Sequence, residues 1–543
     1  MNTGKYKIIA LLFAALTLIT VGSCIDDKGN YDYHEINEVT IEGIPDTITT
    51  SVGARVQVTP QLTFSQGENP DNFEYLWCLT ESYYPYNFTD SVSIERNLDI
   101  EIGGEGSVIN RDGTYYVLYL VINKETGVRY YHSFNIIVYD RSQIGYIMMC
   151  ETGTDSFDLD LISVFNDTLT QYHRALELYN SDLPHTGVKP IDILCYGDYI
   201  SPALGAGGKQ YALWVLTDKW TNRVRVENFE FKPEFNISGI SIKSDYLPEN
   251  IIADKMISTA GHANSAGKAY VYLNNNWFFY NWAQSGWLLS KPINAASNIS
   301  VPYKASSYLF SSYTYGAILF NETDNRFEYH PEFNEMTGPS TGMFKTTRFS
   351  PDEEIFNWEN PNYRLVYMGN RDAFAGFAVV KNAATDKYEL LQFNFRVANA
   401  PAKLGRGEFP SNLPMESIKY YAYHPTQPYL FLASEDHLYK VNTNTMAGEE
   451  VTGIIPAGHK ISLMKNTAIR VPTTYSGRII ICTYDPNGQA GENGQMTFYD
   501  VASDGYGTLQ LAKHPATPTV AGYQVEMRWT GFGKVIGVDY KQP

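Results

Sequence analysis

Few side chains in this chain have a type and spacing that could do chemistry, and the clearest of them is a thiol. Cys24 follows Val21-Gly22-Ser23 and an apolar run from Ile8 to Val21, which is itself preceded by Lys5 and Lys7. A basic start, an apolar middle of roughly 7–15 residues and small residues at the cut make a cleaved export signal. The run is shorter than the ~20 apolar residues of a membrane span. A cysteine at the cut makes a lipobox, so residues 1–23 read as a signal peptide and Cys24 as the acylated first residue of the mature chain.

Other reactive strings fail on their flanks. Gly338-Pro339-Ser340-Thr341-Gly342 matches the G-x-S-x-G nucleophile string. An elbow needs a strand before the serine and a helix after it, and here a proline adjoins the serine with no helical pattern following, so a polar turn is expected. Gly261 and Gly267-Lys268 approach a phosphate loop, but the spacing is one residue too long and Ala269 stands where a Mg²⁺-binding hydroxyl is needed. His34-Glu35 is followed by Glu38 where a zinc protease carries its second histidine. The loop Asp485-Pro486-Asn487-Gly488-Gln489 lacks the bend glycine and trailing carboxylate of a calcium site. Carboxylate pairs of glycosidases meet only in space, and Asp158, Asp160, Asp324 and Asp436 stand no higher than the other acids. No catalytic residue, metal site or cofactor is assigned, and the expectation is a protein that is not an enzyme.

Aromatic side chains are the alternative chemistry. The chain of 543 residues carries 42 tyrosines, and 14% of it is aromatic. Trp277-Phe278-Phe279-Tyr280 with Trp282 and Trp287, and the loop Tyr83-Tyr84-Pro85-Tyr86, form two clusters that could stack on sugar rings or grip peptide side chains. Alternation assigns Phe278 and Tyr280 to the core and leaves Trp277, Trp282, Trp287, Tyr83, Tyr84 and Tyr86 as candidate ligand contacts. Formal charge is −18. Removing Lys5 and Lys7 with the leader leaves 39 basic against 59 acidic side chains, or −20, which repels phosphate backbones and argues against a nucleic-acid partner. Cys78, Cys150, Cys195 and Cys482 are scattered and make no disulfide framework.

The elements that must position these residues are strands. Residues 24–36 are acidic and poor in aliphatics, a flexible tether. Over 37–140, short strands separated by turns predict a sandwich with Trp77 in its core. Over 141–543, seven hairpin-like units recur, beginning near Gly145, Tyr211, Tyr270, Gly316, Gly376, Tyr429 and Arg478. Their spacing of roughly 45–65 residues predicts a propeller of about seven blades, closed by pairing of the strand from Lys534 to Tyr540 with the first blade. The fold class is therefore all-β. Only Leu169 to Tyr179 and Glu249 to Met256 read as short helices.

Two strings carry a family resemblance. Asp112-Gly113-Thr114-Tyr115, followed by alternating apolar residues, resembles the late strand of PKD and other immunoglobulin-like domains. Ile25-Asp26-Asp27-Lys28-Gly29-Asn30-Tyr31-Asp32-Tyr33 resembles the start of the PKD-like lipoproteins of Bacteroidota, and its Asp26-Asp27 pair resembles the surface-export signal of that phylum. The resemblance implies a lipid anchor in the outer membrane, facing the cell exterior, beside a SusC/SusD-type nutrient importer. It implies a non-catalytic accessory holding oligopeptide or oligosaccharide. A surface hydrolase with carboxylates in the propeller funnel, or a purely structural subunit of the importer, are the alternatives.

Overall fold

The computed structural model describes residues 36–541 except 52–53, 82–87, 105, 111–112, 140–143, 166–167, 201–207, 227–228, 242–244, 259–267, 282–286, 289–291, 295–300, 314–315, 332–346, 350–353, 398–400, 468–474 and 515–524. The chain divides into two compact units, Met1–Tyr139 and Asp140–Pro543. Among the described residues no helix is long and apolar enough to cross a membrane.

The first unit is a sandwich. Its main sheet runs Thr47–Ser51, Arg129–Tyr139, Gly113–Asn123, Phe73–Thr80 and Phe88–Ser93, antiparallel except where Thr47–Ser51 joins Arg129–Tyr139 in parallel. Two strand pairs, Val39–Glu42 with Gln61–Phe64 and Arg55–Val58 with Leu98–Glu101, supply the opposing face of the core. Trp77 sits at its centre, its indole N–H donating to the Glu95 carbonyl at 2.8 Å and its ring stacked on Tyr119 at 4.1 Å. A buried indole needs such a partner, because an unmet donor in a dry core costs a few kcal/mol.

The second unit is a seven-bladed propeller, each blade an antiparallel sheet of at least four strands. The innermost strands are, in chain order, Pro190–Ile200, Lys255–Ser258, Ala305–Ser311, Tyr363–Asn370, Tyr420–Tyr423, Lys460–Asn466 and Lys534–Lys541. The last of these pairs with Gly145–Gly153, so the C-terminal strand completes blade 1 and blades 2 to 7 follow in sequence. Closure removes the open edges a linear array would expose. It is matched by the packing: seven apolar clusters fill the seven spaces between neighbouring blades. Tyr146, Met148 and Cys150 of blade 1 meet Cys482, Met496 and Phe498 of blade 7 in one of them.

The apolar runs that mark the seven units in the sequence are the second strands of the seven blades. Tyr429–Ala433 and Gly316–Asn321 are buried at every residue. A blade has a neighbour on each side, so both faces of its middle strands are dry and alternation disappears. In blades 4 and 5 the turn after this strand repeats one device. Asn321 and Asn382 each donate at 3.0 Å to a buried glutamate seven residues on, Glu328 and Glu389, and each accepts backbone N–H groups of the turn. Arg326 and Arg406 complete the two clusters at 2.9 Å.

The helical expectations fail for a visible reason. Leu169 lies in the strand Thr168–Tyr172, and only Ala175–Leu178 forms a single helical turn. Asp158 accepts the Leu176 N–H at 3.2 Å and Asp160 accepts the Arg174 N–H at 3.0 Å, so the carboxylates of the neighbouring strand fix where that single turn begins, and the segment before it is held in the sheet. Residues 249–254 form no helix, and Lys255–Ser258 is an inner strand.

Candidate functional site

Seven inner strands surround the propeller axis, and a set of polar and aromatic side chains comes from them. Blades 1 to 7 supply Asp539, Asp192, Lys255, Tyr308, Tyr367, Tyr421 and Lys465. Contacts link four of the neighbouring pairs. The Lys465 ammonium lies 3.8 Å from Asp539 and donates to the Val538 carbonyl at 2.6 Å. Lys255 stands over the Tyr308 ring at 4.6 Å. Tyr308 meets Tyr367 at 4.9 Å, and Tyr367 stacks on Tyr421 at 4.5 Å. Two aspartates and two lysines thus share the axis with an arc of three phenols.

The two carboxylates differ in environment. Asp539 is buried, its Oδ2 accepting the Cys195 N–H of blade 2 at 2.8 Å and its Oδ1 the Tyr540 N–H at 3.0 Å. It therefore fastens the closing strand to its neighbour. Asp192 accepts the N–H of Ile193 at 2.8 Å, and burial pushes its carboxyl up to about 6, against the pull of that hydrogen bond and of Lys465 and Lys255. Gly537 makes room for it: a Cβ there would stand 2.7 Å from Asp192 Oδ1. Burial likewise lowers the Lys255 ammonium, with Asp192 opposing the shift. Ionisable groups displaced this way at an axis are candidates for binding or proton transfer.

Beside this ring lies a cavity of about 180 Å³, lined on its polar side by Tyr146, Ser258, Tyr421, Lys465, Asn466 and Asp539. Apolar groups such as Ile257, Met464, Ile480 and Val538 line the rest. Tyr146, Ser258 and Tyr421 are buried, and among the described residues their three hydroxyls have no hydrogen-bond partner. Burial raises the pKa of both phenols, which keeps them as O–H donors at neutral pH.

The residues singled out in the sequence fall elsewhere. Trp277 is a correction: with Phe278, Phe279 and Tyr280 it is buried. Trp277 and Phe279 pack toward blade 4, Phe278 and Tyr280 toward blade 2, and the Trp277 indole N–H donates to the Ser306 carbonyl at 2.7 Å. Alternation sends half of a strand to solvent only when one face of the sheet is wet, and blade 3 has no wet face. Trp287 lies on the outer strand of that blade, paired with Asn281, and its side chain is outside the described set. Cys24, Asp26, Asp27, Tyr83, Tyr84, Tyr86 and Trp282 also lie outside the described residues, as does the Gly338–Gly342 string.

Asp158 and Asp160 serve backbone amides and His173, and Asp324 pairs with Arg326 at 2.7 Å. Among the described residues no three His, Cys, Asp or Glu side chains gather as metal ligands. Cys78, Cys150, Cys195 and Cys482 are buried free thiols. The axial residues escaped the sequence reading, although a signal for them exists: an ionisable residue inside an apolar run, as in Ile191-Asp192-Ile193, Lys255-Met256-Ile257 and Val538-Asp539-Tyr540.

A model of the PKD-like family matches residues 24–182, which take in the sandwich and the first strands of the propeller. No curated protein matches the chain. Among solved structures, a quinonprotein alcohol dehydrogenase-like protein of Bacteroides thetaiotaomicron is similar at 11% identity over 94% of this chain and 100% of its own, with a TM-score of 0.34. The WD40 domain of SCAP from fission yeast is similar at 9% identity over 68% of this chain and 90% of its own, TM-score 0.31. The extracellular domain of a putative one component system of B. thetaiotaomicron is similar at 9% identity over 94% and 82%, TM-score 0.29. At these scores the likenesses carry no argument, and the propeller rests on the chain's own strand pairing.

Proposed function

We propose that the mature protein is a lipid-anchored protein of the cell exterior that assists a SusC/SusD-type outer-membrane importer by holding an oligomeric nutrient, peptide or glycan, without cleaving it. The observation that carries the binding half is the axial cavity, where a closed propeller gathers an ammonium and three buried hydroxyls around one small space. The anchoring half rests on Cys24 and the Asp26-Asp27 pair, and the match to the PKD-like family begins at that cysteine. Trp282, Trp287, Tyr83, Tyr84 and Tyr86 are proposed as further contacts for the oligomer. Antibody capture of the full-length protein from detergent-extracted membranes tests the assignment. Co-purification of an outer-membrane importer with its SusD-type partner is expected, and capture of the protein alone, after mild cross-linking of cells, would overturn it.

A hydrolase is the second reading, favoured by one observation. Asp192 and Asp539 stand on adjacent inner strands, and a carboxyl held near 6 suits general acid–base work. It ranks behind binding because both oxygens of Asp539 already accept backbone N–H groups. Turnover of oligopeptides or oligosaccharides that is lost in Asp192→Asn would promote it. Co-purification without any ligand binding would leave the structural-subunit reading.

A further inference from the structure

The chemistry of the axial cavity specifies its ligand more narrowly than peptide or glycan. Donors predominate. Lys465 brings an ammonium with three N–H bonds, of which one goes to the Val538 carbonyl. Tyr146, Ser258 and Tyr421 each bring a hydroxyl with no partner among the described residues. Two of the acceptors close by are occupied: Asp539 takes the N–H groups of Cys195 and Tyr540, and the Asn370 side-chain oxygen takes the Ser311 N–H at 3.3 Å. Asn370 and Asn466 spend amide N–H groups on backbone carbonyls of Ser311 and Tyr423. Around the axis the two lysines balance Asp192 and Asp539, so an incoming anion meets a neutral ring and not an acidic one. The cavity, at about 180 Å³, is several times the ~30 Å³ share of one water in the liquid, which admits an anion of a few heavy atoms.

We propose that the axial cavity binds a small oxyanion, a carboxylate or phosphate group, held by the Lys465 ammonium and the hydroxyls of Tyr146, Ser258 and Tyr421. Charge-assisted bonds of this kind are the strong ones, and Ile257, Met464 and Val538 form the apolar part of the wall around them. This rests on the cavity named in the proposed function but not on the importer, so oxyanion binding by a protein that captures no importer would sink that reading alone.

The test is calorimetric titration of the full-length mature protein with sodium acetate and, separately, sodium phosphate, at constant ionic strength set with chloride. Saturable one-site binding of at least one anion is expected, and the arm that binds names the source. Lys465→Met and the near-isosteric Tyr421→Phe and Tyr146→Phe should each weaken it by roughly tenfold or more, the loss that follows from removing a hydrogen bond to a charged group. Lys387→Met, on an exposed pair with Glu408, should leave affinity unchanged. Absence of binding by both anions, or wild-type affinity in Lys465→Met and Tyr421→Phe, overturns the proposal. So does saturable binding of neutral glucose that the same substitutions abolish while neither anion competes.

Discussion

The buried imidazole of His330 makes the propeller acid-sensitive by an amount that follows from its position. His330 lies in the third strand of blade 4, fully buried, with Tyr270 Oη 3.4 Å from Nδ1 and the Phe279 ring at 5.4 Å. Burial disfavours its charged form and lowers its pKa from 6.5 to about 3. The folded value is depressed, so below pH 6.5 the unfolded chain takes up a proton that the folded chain refuses. The stability involved is fully present above pH 6.5 and is lost as pH falls toward 3. At 1.36 kcal/mol per pH unit, the loss between pH 7 and pH 4.5 amounts to about 2.5 kcal/mol from this one side chain. His330→Gln removes the titration while keeping a polar group beside Tyr270. Urea unfolding of wild type and variant, followed by tryptophan fluorescence at both pH values and equal ionic strength, isolates it. The wild type should lose about 2.5 kcal/mol more than the variant on acidification. A wild-type-minus-variant difference that does not change with pH, or an imidazole NMR resonance of His330 titrating near 6.5, would refute the reasoning.

Other outcomes follow from the same residues. Cys24→Ala removes the proposed acylation point, so the protein should leave the membrane fraction or persist as uncleaved precursor; incorporation of labelled fatty acid by the mutant would contradict the lipobox. Replacing Asp26 and Asp27 by alanine should protect the chain from protease added to intact cells, and equal digestion of mutant and wild type would remove the export role. Trp277→Phe deletes the indole donor to the Ser306 carbonyl and should cost about 1–3 kcal/mol, yet it should not alter ligand affinity, since the ring is buried between blades 3 and 4. Truncation before Lys534 strips the inner strand from blade 1 and the Asp539 tie to Cys195. The truncated chain should be recovered unfolded or aggregated, and a monomeric all-β spectrum with an unchanged melting temperature would show that closure is dispensable.

What the sequence determined by itself is what local chemistry can encode. The second strands of the blades were legible because a strand buried on both faces must be an unbroken apolar run, as at Ile479-Ile480-Ile481-Cys482. Trp77 was legible as a core residue from its place in the central strand of a sandwich. The alternation rule misassigned Trp277, for burial on two sides depends on neighbouring blades and not on the strand. The Asn321–Glu328 and Asn382–Glu389 pairs were a readable repeat of spacing seven that went unread, because a buried glutamate looks like a surface one until its partner is in place. The sequence marks Asp192 and Asp539 as ionisable residues within apolar runs, but the meeting of the axial residues belongs to tertiary structure alone. Asp539 meets the amide of Cys195 across 344 positions, and Asp192, Tyr308, Tyr421 and Lys465 sit in separate strands with no shared motif. Only ring closure brings seven inner strands to one axis, where burial shifts the protonation of Asp192 and Lys255.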